Sequence, residues 1–401
     1  MKSPKLFLYL LFILVSVVII NQVVIINQNT QEQKSRFSNV TSNDIFIQSF
    51  EHLENKTPLE GEFKPILTLP AWDFQGFGDK LFVYYNGTLK VYNVKSGKLL
   101  LNVTPVYECY FSNRYAYIKT DNGSFVLDYE TLKLAPIDKN VEYAFNPGNC
   151  RITAREKSIL VNSQVFTFNS SPKVAFFPNG FVVYGLHKDR ETRAIFFDGR
   201  CNILNDTIIS NYPLVCKVVD HKIFFIRRGL FAVNQSEFPK LKGEQVLHEY
   251  LSMSSVYLFN SKGQEMASLR MGGVIGFYNN TLYSFKVSPD YCDELIKFYL
   301  SNKSIVKQCF SISHYSGWFV SQGTFGDFGD GFMAFAYWGF SGESGTAHNY
   351  LCVYVYDKRL NCIPYYSGTK RVSPIDEIKA WDRYFAIVPR GSGEVVVYEV
   401  E

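Results

Sequence analysis

Short apolar runs separated by turn-forming residues repeat along most of this chain, and this repetition limits the available folds more than any other feature. The run LFVYY is followed by Asn86-Gly87 and then by TLKVYNV. Asn-Gly adopts positive φ at both positions of a two-residue turn, so the segment predicts a β-hairpin. The same order of run, turn and run recurs around residues 121–123 and 391–393. No long segment has the 3.6-residue period of an amphipathic helix, and the sequence predicts an all-β fold.

The hairpin turns recur at a nearly constant interval in the first part of the chain. They fall near residues 86, 122, 157, 190 and 228, about 33 to 38 residues apart. A four-stranded propeller blade takes about 40 residues. We therefore predict a β-propeller domain of four-stranded blades over residues 63–401.

Two copies of Ala-Trp-Asp, at Trp72 and Trp381, are the best repeat match in the chain. The interval between them divides into seven steps of about 44 residues, which predicts eight blades. Seven blades is the alternative, because the boundaries within 141–172 and 230–270 are poorly marked. The chain stops after a third strand, and the run ILTL (66–69) precedes the first full unit. We expect ILTL to supply the missing outer strand and to close the ring without an exposed edge.

Two of the repeat units, VYNVKSGKLL and VYLFNSKGQEMASL, resemble the third-and-fourth-strand hairpins of WD40-like and quinoprotein-like propellers. The Gly-His dipeptide of WD40 blades is absent. Both Trp-Asp dipeptides precede the strands of their unit, whereas in WD40 blades the dipeptide ends the third strand. The resemblance implies the fold and the style of repeat, and it implies no activity.

The N-terminus contains one continuous apolar segment. Residues 6–26 carry no charge, and about 21 helical residues span roughly 31 Å, the thickness of a bilayer's hydrocarbon core. Lys2 and Lys5 precede this segment, so the positive-inside rule places residues 1–5 in the cytoplasm and the rest of the chain outside the cell. We predict an N-terminal transmembrane helix at 6–26 that acts as a signal anchor. The alternative is a cleaved signal peptide, which also exports the chain.

Residues 27–62 are polar, with no periodic apolar face, and they predict an extracellular stalk. The one apolar island in it, IFIQSF (45–50), has a second interpretation as a short segment that docks on the domain.

Ten N-x-S/T sequons support export, because an Asn-rich chain of this composition would contain only about three or four by chance. Asn55 and Asn102 are the weakest candidates for glycosylation, because proline follows each of their sequons. The other eight asparagines are expected to carry glycans, and they are Asn39, Asn86, Asn122, Asn169, Asn205, Asn234, Asn279 and Asn302.

The chain has eight cysteines and no C-x-x-C, which fits disulfides in an oxidising compartment and excludes a zinc ribbon or a thioredoxin-like motif. Spacing alone leaves the connectivity open. Two pairs flank predicted turns and are expected across hairpins, namely Cys352 with Cys362 and Cys292 with Cys309. The remaining couples are then Cys201 with Cys216 and Cys109 with Cys150.

The segment GDFGDG (326–331) places Asp327 and Asp330 on a glycine-rich loop. Two carboxylates on a tight loop can hold Ca²⁺, although the spacing of an EF-hand is missing and an ordinary turn is the favoured interpretation. The six histidines have no metal-ligand spacing, and no catalytic set is recognisable. We therefore predict no other cofactor.

The formal net charge of +4 over 401 residues argues against a dedicated nucleic-acid binder. The unit at 314–350 is the longest and has the richest loop, so we expect any binding surface there, with Trp318, Trp338 and His348 as candidates. Core packing between blades is the favoured role for each of its aromatic residues.

The sequence as a whole predicts a membrane-anchored, glycosylated extracellular propeller that acts as an interaction or surface-structural protein. The partners of such a protein are other surface proteins or glycans. The alternatives are an extracellular propeller enzyme, such as a glycoside hydrolase or a quinoprotein-like oxidoreductase, or a secreted glycan-binding protein.

Overall fold

In the described residues, eight sheets, each built on four antiparallel strands, follow one another along the chain as the blades of a propeller. The computed structural model describes residues 46–51, 64–137, 143–145, 150–188, 191–210, 214–219, 221–226, 255–270, 273–286, 293–310, 319–341, 347–368 and 375–400. We number the strands in chain order. Two strands, β1 (Phe46–Glu51) and β2 (Pro65–Pro70), precede the first blade.

Blades 1 to 4 each use four consecutive strands, which run in order from the innermost to the outermost. Blade 1 has β3 (Asp73–Phe77), β4 (Lys80–Tyr85), β5 (Thr88–Asn93) and β6 (Leu99–Val103). Blade 2 has β7 (Glu108–Phe111), β8 (Tyr115–Thr120), β9 (Gly123–Asp128) and β10 (Leu134–Ile137). Blade 3 has β11 (Tyr143–Phe145), β12 (Ile152–Arg155), β13 (Ser158–Val161) and β14 (Gln164–Thr167). Blade 4 has β15 (Lys173–Phe177), β16 (Gly180–Leu186), β17 (Thr192–Asp198) and β18 (Ile203–Ser210).

Blades 5 to 8 continue the order. Blade 5 has β19 (Val215–Val219), β20 (Lys222–Ile226), β21 (Ser255–Phe259) and β22 (Glu265–Arg270). Blade 6 has β23 (Val274–Tyr278), β24 (Thr281–Lys286), β25 (Asp293–Tyr299) and β26 (Ser304–Phe310). Blade 7 has β27 (Phe319–Phe328), β28 (Phe332–Ser341), β29 (Ala347–Val355) and β30 (Arg359–Gly368). Blade 8 has β31 (Ile375–Trp381), β32 (Tyr384–Pro389) and β33 (Glu394–Glu399).

The ring is closed by the strand predicted from the run ILTL. β2 pairs antiparallel with β33 and becomes the outermost strand of blade 8, with Leu67 opposite Val397 and Leu69 opposite Val395. The predictions of an all-β propeller, of N-terminal closure and of eight rather than seven blades are therefore confirmed.

The apolar island in the predicted stalk pairs with the domain. β1 lies parallel to β26 and makes blade 6 a five-stranded sheet, with Phe46 opposite Ser304. The interpretation of this island as a docking segment is confirmed. The predicted transmembrane helix at 6–26 lies outside the described residues; within them, no helix has the length and hydrophobicity needed to cross a bilayer.

Aromatic side chains fill the space between blades. Phe224 of blade 5 packs against Phe277 of blade 6, with ring centroids 5.0 Å apart, and against Phe328 of blade 7. Successive residues of a strand point to opposite faces, so a central strand of a blade serves two interfaces. In β28, Phe335 belongs to the cluster shared with blade 6, whereas Phe332 belongs to the cluster shared with blade 8. The core-packing role of the aromatic residues is confirmed at these positions.

Trp381 joins the last blade to the first. It ends β31, is 8% exposed, and its indole N–H donates to the carbonyl of Gly78, 3.0 Å away. A Cβ atom at Gly76 of blade 1 would lie 2.0 Å from the indole ring. Only glycine at position 76 leaves room for the indole, and the pair fixes the approach of blade 8 to blade 1.

The predicted equivalence of the two Ala-Trp-Asp copies is wrong. Trp72 precedes the innermost strand of blade 1 and is 62% exposed, whereas Trp381 ends the innermost strand of blade 8. The residue of blade 1 that matches Trp381 is Phe77, at the end of β3. Trp72 and Phe77 are about one strand length apart. Spread over the seven repeat steps between blades 1 and 8, this error is too small to change the predicted number of blades.

Trp381→Ala is expected to lower the free energy of unfolding by about 3–5 kcal/mol, because it leaves a cavity at the seam between blades 8 and 1. Trp72→Ala is the matched control and should cost about 1 kcal/mol or less, since its ring is mostly in solvent. Urea unfolding of both variants measures the difference. Equal midpoints would show that Trp381 has no special role in joining these blades.

Two disulfides are present among the described cysteines. Cys352 and Cys362 are directly opposite each other on β29 and β30 and are linked, as predicted. Cys150 is linked to Cys201, so the predicted couples Cys109–Cys150 and Cys201–Cys216 are wrong. The error has a topological cause: Cys150 and Cys201 are 51 residues apart in sequence but lie in connections of neighbouring blades, at the same face. The predicted pair Cys292–Cys309 involves a position, 292, outside the described residues.

Cys109 and Cys216 are free thiols on innermost strands. Burial raises the pKa of both thiols well above the ordinary value, and at Cys109 the Asp73 carboxylate adds to this effect. A raised pKa keeps the thiol protonated, and only the thiolate is nucleophilic.

We expect iodoacetamide to label Cys109 and Cys216 of the native protein slowly at pH 7, with no sharp increase up to pH 9, whereas an ordinary thiol with a pKa of about 8.5 accelerates steeply over this range. In denaturant both cysteines should react at once. Peptide mapping of the labelled protein should recover Cys150 linked to Cys201. Rapid native labelling, or a link from either free cysteine to Cys150 or Cys201, would contradict this arrangement.

Candidate functional site

The antiparallel order of each blade gives the propeller two different faces. The connections from the innermost to the second strand, and from the third to the outermost strand, lie at one face. We call it the stapled face. The connections from the second to the third strand, and from each blade to the next, lie at the opposite face, which we call the loop face.

Side chains at the stapled face tie neighbouring blades together. Asp382 of blade 8 accepts the N–H of Gly78 of blade 1 at its Oδ2 (2.8 Å), and its carbonyl accepts the N–H of Asp330 of blade 7 (2.6 Å). Asp357 of blade 7 accepts the Tyr283 hydroxyl of blade 6 at 2.8 Å. The Cys150–Cys201 disulfide joins blades 3 and 4 at this face. These links make the stapled face a rigid frame.

The loop face contains the long connections. Two of the stretches that separate strand ends at this face, 227–254 and 311–318, are longer than any connection at the stapled face, and they lie outside the described residues. Insertions in repeat proteins that collect on one face often mark the binding face.

Blade 7 projects from the loop face. Its strands β27, β28, β29 and β30 have 10, 10, 9 and 10 residues. The turn at its stapled end is level with that of blade 8, because Asp330 donates to Asp382. The extra residues therefore extend the blade beyond its neighbours at the loop face, by about 10–13 Å for three or four residues.

The three predicted binding residues all belong to blade 7 or to the connection before it. Trp338 is on β28, opposite Asn349, and His348 is on β29, opposite Gly339. The two positions lie on adjacent strands and are one residue out of opposition, so they belong to opposite faces of the sheet. Trp318 lies outside the described residues. The prediction of a binding surface at these residues stays a prediction, and the structure places the two described positions on neighbouring strands of the projecting part of blade 7.

A lysine of blade 5 reaches two other blades at the central channel. Lys217 extends from the innermost strand β19, and its ammonium donates to Asp327 Oδ1 of blade 7 at 2.6 Å and to the carbonyl of Ala380 of blade 8 at 3.0 Å. It also donates to the carbonyl of Phe328 and lies 4.5 Å from the centre of that ring. One cation thus joins blades 5, 7 and 8.

A second lysine makes a similar bridge between blades 8 and 1. The Lys379 ammonium donates to the carbonyl of Phe74 at 2.8 Å and to Asp73 Oδ1 at 3.3 Å. It lies 4.3 Å from the centre of the Phe74 ring. Both bridges are half-buried, and they make the wall of the channel a charged, cross-linked structure.

Asp327 has both carboxylate oxygens engaged. Oδ1 accepts from Lys217, and Oδ2 accepts the N–H of Ala380 at 2.8 Å. Asp330 is exposed on the adjacent turn. In the described part of the chain, no group of three or more His, Cys, Asp or Glu side chains is placed to hold a metal ion. The calcium site at Asp327 and Asp330 stays a prediction, and the engagement of Asp327 by a lysine does not favour it.

Most of the sequon asparagines within the described residues are exposed. They are Asn86, Asn102, Asn122, Asn169, Asn279 and Asn302. Asn205 differs, because it is half-buried and its Nδ2 donates to the carbonyl of Gly263 at 2.6 Å. Asn39, Asn55 and Asn234 lie outside the described residues. Glycosylation stays a prediction at every site.

The sequence signals did not reveal Lys217 and Lys379. Each stands in an unremarkable strand of mixed residues, and the partners that each one contacts belong to blades distant in sequence. Such contacts depend on the closure of the ring, so no local pattern marks them.

Together the blades define an eight-bladed β-propeller protein with a stapled face and a loop face. No protein-family model and no curated protein matches the chain. It is similar in structure to BamB from Moraxella catarrhalis, with a TM-score of 0.43 and 9% identity over 84% of this chain and 100% of that one. The WD40 domain of SCAP from fission yeast gives a TM-score of 0.44 and 11% identity, over 84% and 98% of the two chains.

The β-propeller domain of the Trilobed protease from Pyrococcus furiosus gives a TM-score of 0.39 and 12% identity, over 82% and 95% of the two chains. The predicted resemblance to WD40-like and quinoprotein-like propellers is confirmed for the fold. At these identities it carries no argument about activity or ligand.

Lys217→Met is expected to lower the free energy of unfolding by about 1–3 kcal/mol, between the values for exposed and for buried ion pairs, because Asp327 then keeps its charge without its cation. Arg390→Met is the control. It breaks an exposed pair with Asp376 (2.7 Å) and should cost about 0.5 kcal/mol or less. Urea midpoints measure both changes. An equal effect of the two variants would show that the bridge does not join blades 5, 7 and 8.

Proposed function

We propose that this chain is a membrane-anchored, glycosylated extracellular propeller that binds other surface proteins or glycans through its loop face. The observation that carries the proposal is the asymmetry of the disc. The strand ends that flank 227–254 and 311–318 lie at the same face as the projecting part of blade 7, while the connections at the opposite face have six residues or fewer and are linked between blades. Rigid scaffolds with variable loops on one side are suited to binding.

The direction of β1 supports an orientation for this proposal. β26 runs from the stapled face to the loop face, and β1 is parallel to it, so β1 begins at the stapled face with Phe46 opposite Ser304. An anchor at residues 6–26 is therefore joined to the domain from the stapled side. The loop face then points away from the membrane, where a partner has access to it.

The sequons support an extracellular location. Exposed sequon asparagines occur on both faces and on an outermost strand, and each can accept a glycan without unfolding the domain. On the loop face the described ones, Asn86, Asn122 and Asn169, belong to blades 1 to 4.

The anchoring and the glycosylation are tested together in a glycosylating eukaryotic host that expresses the full chain. We expect the protein to resist alkaline extraction of the membranes, to react with an impermeant label at the cell surface, and to lose mass on endoglycosidase treatment. Recovery of the protein from the medium would favour the secreted alternative. An unchanged mass would contradict glycosylation.

The binding role is tested by a pull-down from native membranes in mild detergent, followed by mass spectrometry. Trp338→Ala and His348→Ala, on the projecting part of blade 7, should reduce a stoichiometric partner by about tenfold or more. Lys358→Ala is the control, because Lys358 is exposed at the stapled face. Recovery of the chain without a stoichiometric partner would contradict the proposal. An unchanged amount of partner recovered with both loop-face variants would also contradict it.

A further inference from the structure

A groove of about 270 Å³ lies at the seam where the ring closes. Leu69 and Pro70 of β2 form one wall, and the hairpin of β4 and β5 forms the other. From this hairpin the groove is lined by Val83, Tyr85, Asn86, Thr88, Lys90 and Tyr92. The groove therefore contains a sequon asparagine in its own wall.

The backbone places the sequon in a defined geometry. Asn86 and Gly87 have φ of 45° and 68°, so the turn is the two-residue type with both central residues left-handed. Tyr85 and Thr88 are directly opposite each other on the two strands. Opposite residues project from the same face of a hairpin, and Tyr85, Asn86 and Thr88 all line the groove, so a group attached to Asn86 has both side chains within the same groove.

The Asn86 side chain is available for modification. It is exposed, and no hydrogen bond joins its amide to any other residue in the described part of the chain. Asn205 shows the opposite case, since its amide is engaged by Gly263.

The ring of Tyr85 is accessible to solvent and is in contact with a neighbouring ring. Its side chain is 40% exposed, and its ring contacts the Trp72 ring with centroids 5.4 Å apart. Trp72 is held in turn by its backbone N–H, which donates to the carbonyl of Tyr84 at 2.9 Å. An aromatic ring already fixed by a neighbour loses little freedom when a ligand packs on it.

We propose that Asn86 carries an N-linked glycan whose first sugar packs on Tyr85 and Thr88 and covers the groove at the seam. The inference rests on the proposed glycosylation of the chain. In the modification the N–H bond of Asn86 Nδ2 breaks and a bond forms from Nδ2 to C1 of the sugar. The sugar comes from a lipid-linked diphosphate oligosaccharide, whose C1–O bond breaks, and the lipid diphosphate leaves with the proton. The hydrogen-rich face of the pyranose then lies against the tyrosine ring.

The chain contains a matched control whose local sequence differs at one position, where Asn280 replaces Gly87. Tyr278-Asn279-Asn280-Thr281 also forms a two-residue turn, with φ of 46° and 56°, and Tyr278 is opposite Thr281. In this second turn, however, the Tyr278 ring is stacked on Tyr356 at 5.5 Å, and Thr281 is only 4% exposed. We expect a glycan at Asn279 to gain little from Tyr278.

The test is a double-mutant cycle on the full chain from a glycosylating eukaryotic host, with site occupancy measured by mass spectrometry. Asn86→Asp removes the glycan and keeps a residue that tolerates positive φ. It should lower the apparent Tm by about 1–3 °C in the wild type, and by less than half of that in the Tyr85→Ala background. Tyr85→Phe should restore the full effect, because it keeps the ring. The cycle of Asn279→Asp with Tyr278→Ala should be additive.

A local measurement protects the test against a variant that folds poorly. Hydrogen exchange of the peptide over residues 80–93 should be slower in the wild type with the glycan than after Asn86→Asp, and trimming to a single N-acetylglucosamine should keep the protection. Equal Tm losses in the two Tyr85 backgrounds, or unchanged exchange, would overturn the inference. An empty Asn86 beside occupied Asn122 and Asn169 would overturn it and leave the proposed function standing, whereas empty sequons throughout would overturn both.

Discussion

The pairing of β2 with β33 is the constraint on which the rest of the structure depends. Every blade of a propeller packs its two faces on two neighbouring blades. The last blade must therefore pack on the first, and the ring must close. The chain supplies only three strands of blade 8 from its C-terminus, and the fourth comes from residues 65–70. Closure therefore joins the two ends of the domain, and Trp381 over Gly76 completes the same seam on the inner side.

Closure also explains why the two faces differ. Once the ring is shut, the short turns of the stapled face are brought close enough for Asp382 to contact the turns of blades 1 and 7. Lys217 and Lys379 repeat this linkage at the channel wall. The links at the stapled face and the two lysine bridges hold the blades together. The loop face can therefore accept insertions such as 227–254 in the sequence without loss of blade packing.

Local turn chemistry carried most of the fold prediction, because a two-residue type I′ turn requires a left-handed backbone at both positions, which Asn86-Gly87 adopts. The turns marked the hairpins, and their interval marked the blades. The predictions that failed depend on contacts between blades. Cys150 meets Cys201 only after two blades have packed, and Trp72 resembles Trp381 in sequence while standing at the other end of an innermost strand. The bridges made by Lys217 also depend on contacts between blades, so no pattern along the chain indicates them.

The N-terminal segment holds the domain at two places in a fixed order. A chain that leaves a membrane anchor at 6–26, as proposed, reaches β1 on blade 6 before it reaches β2 at the seam. Tension from the anchor would then load the pairing of β1 with β26 first. Because the two strands are parallel and β1 starts at the stapled face, the load acts along the strands, and all the hydrogen bonds of the ladder resist it together. The β2 closure would be reached only after β1 had detached, so β1 shields the strand that keeps the ring shut.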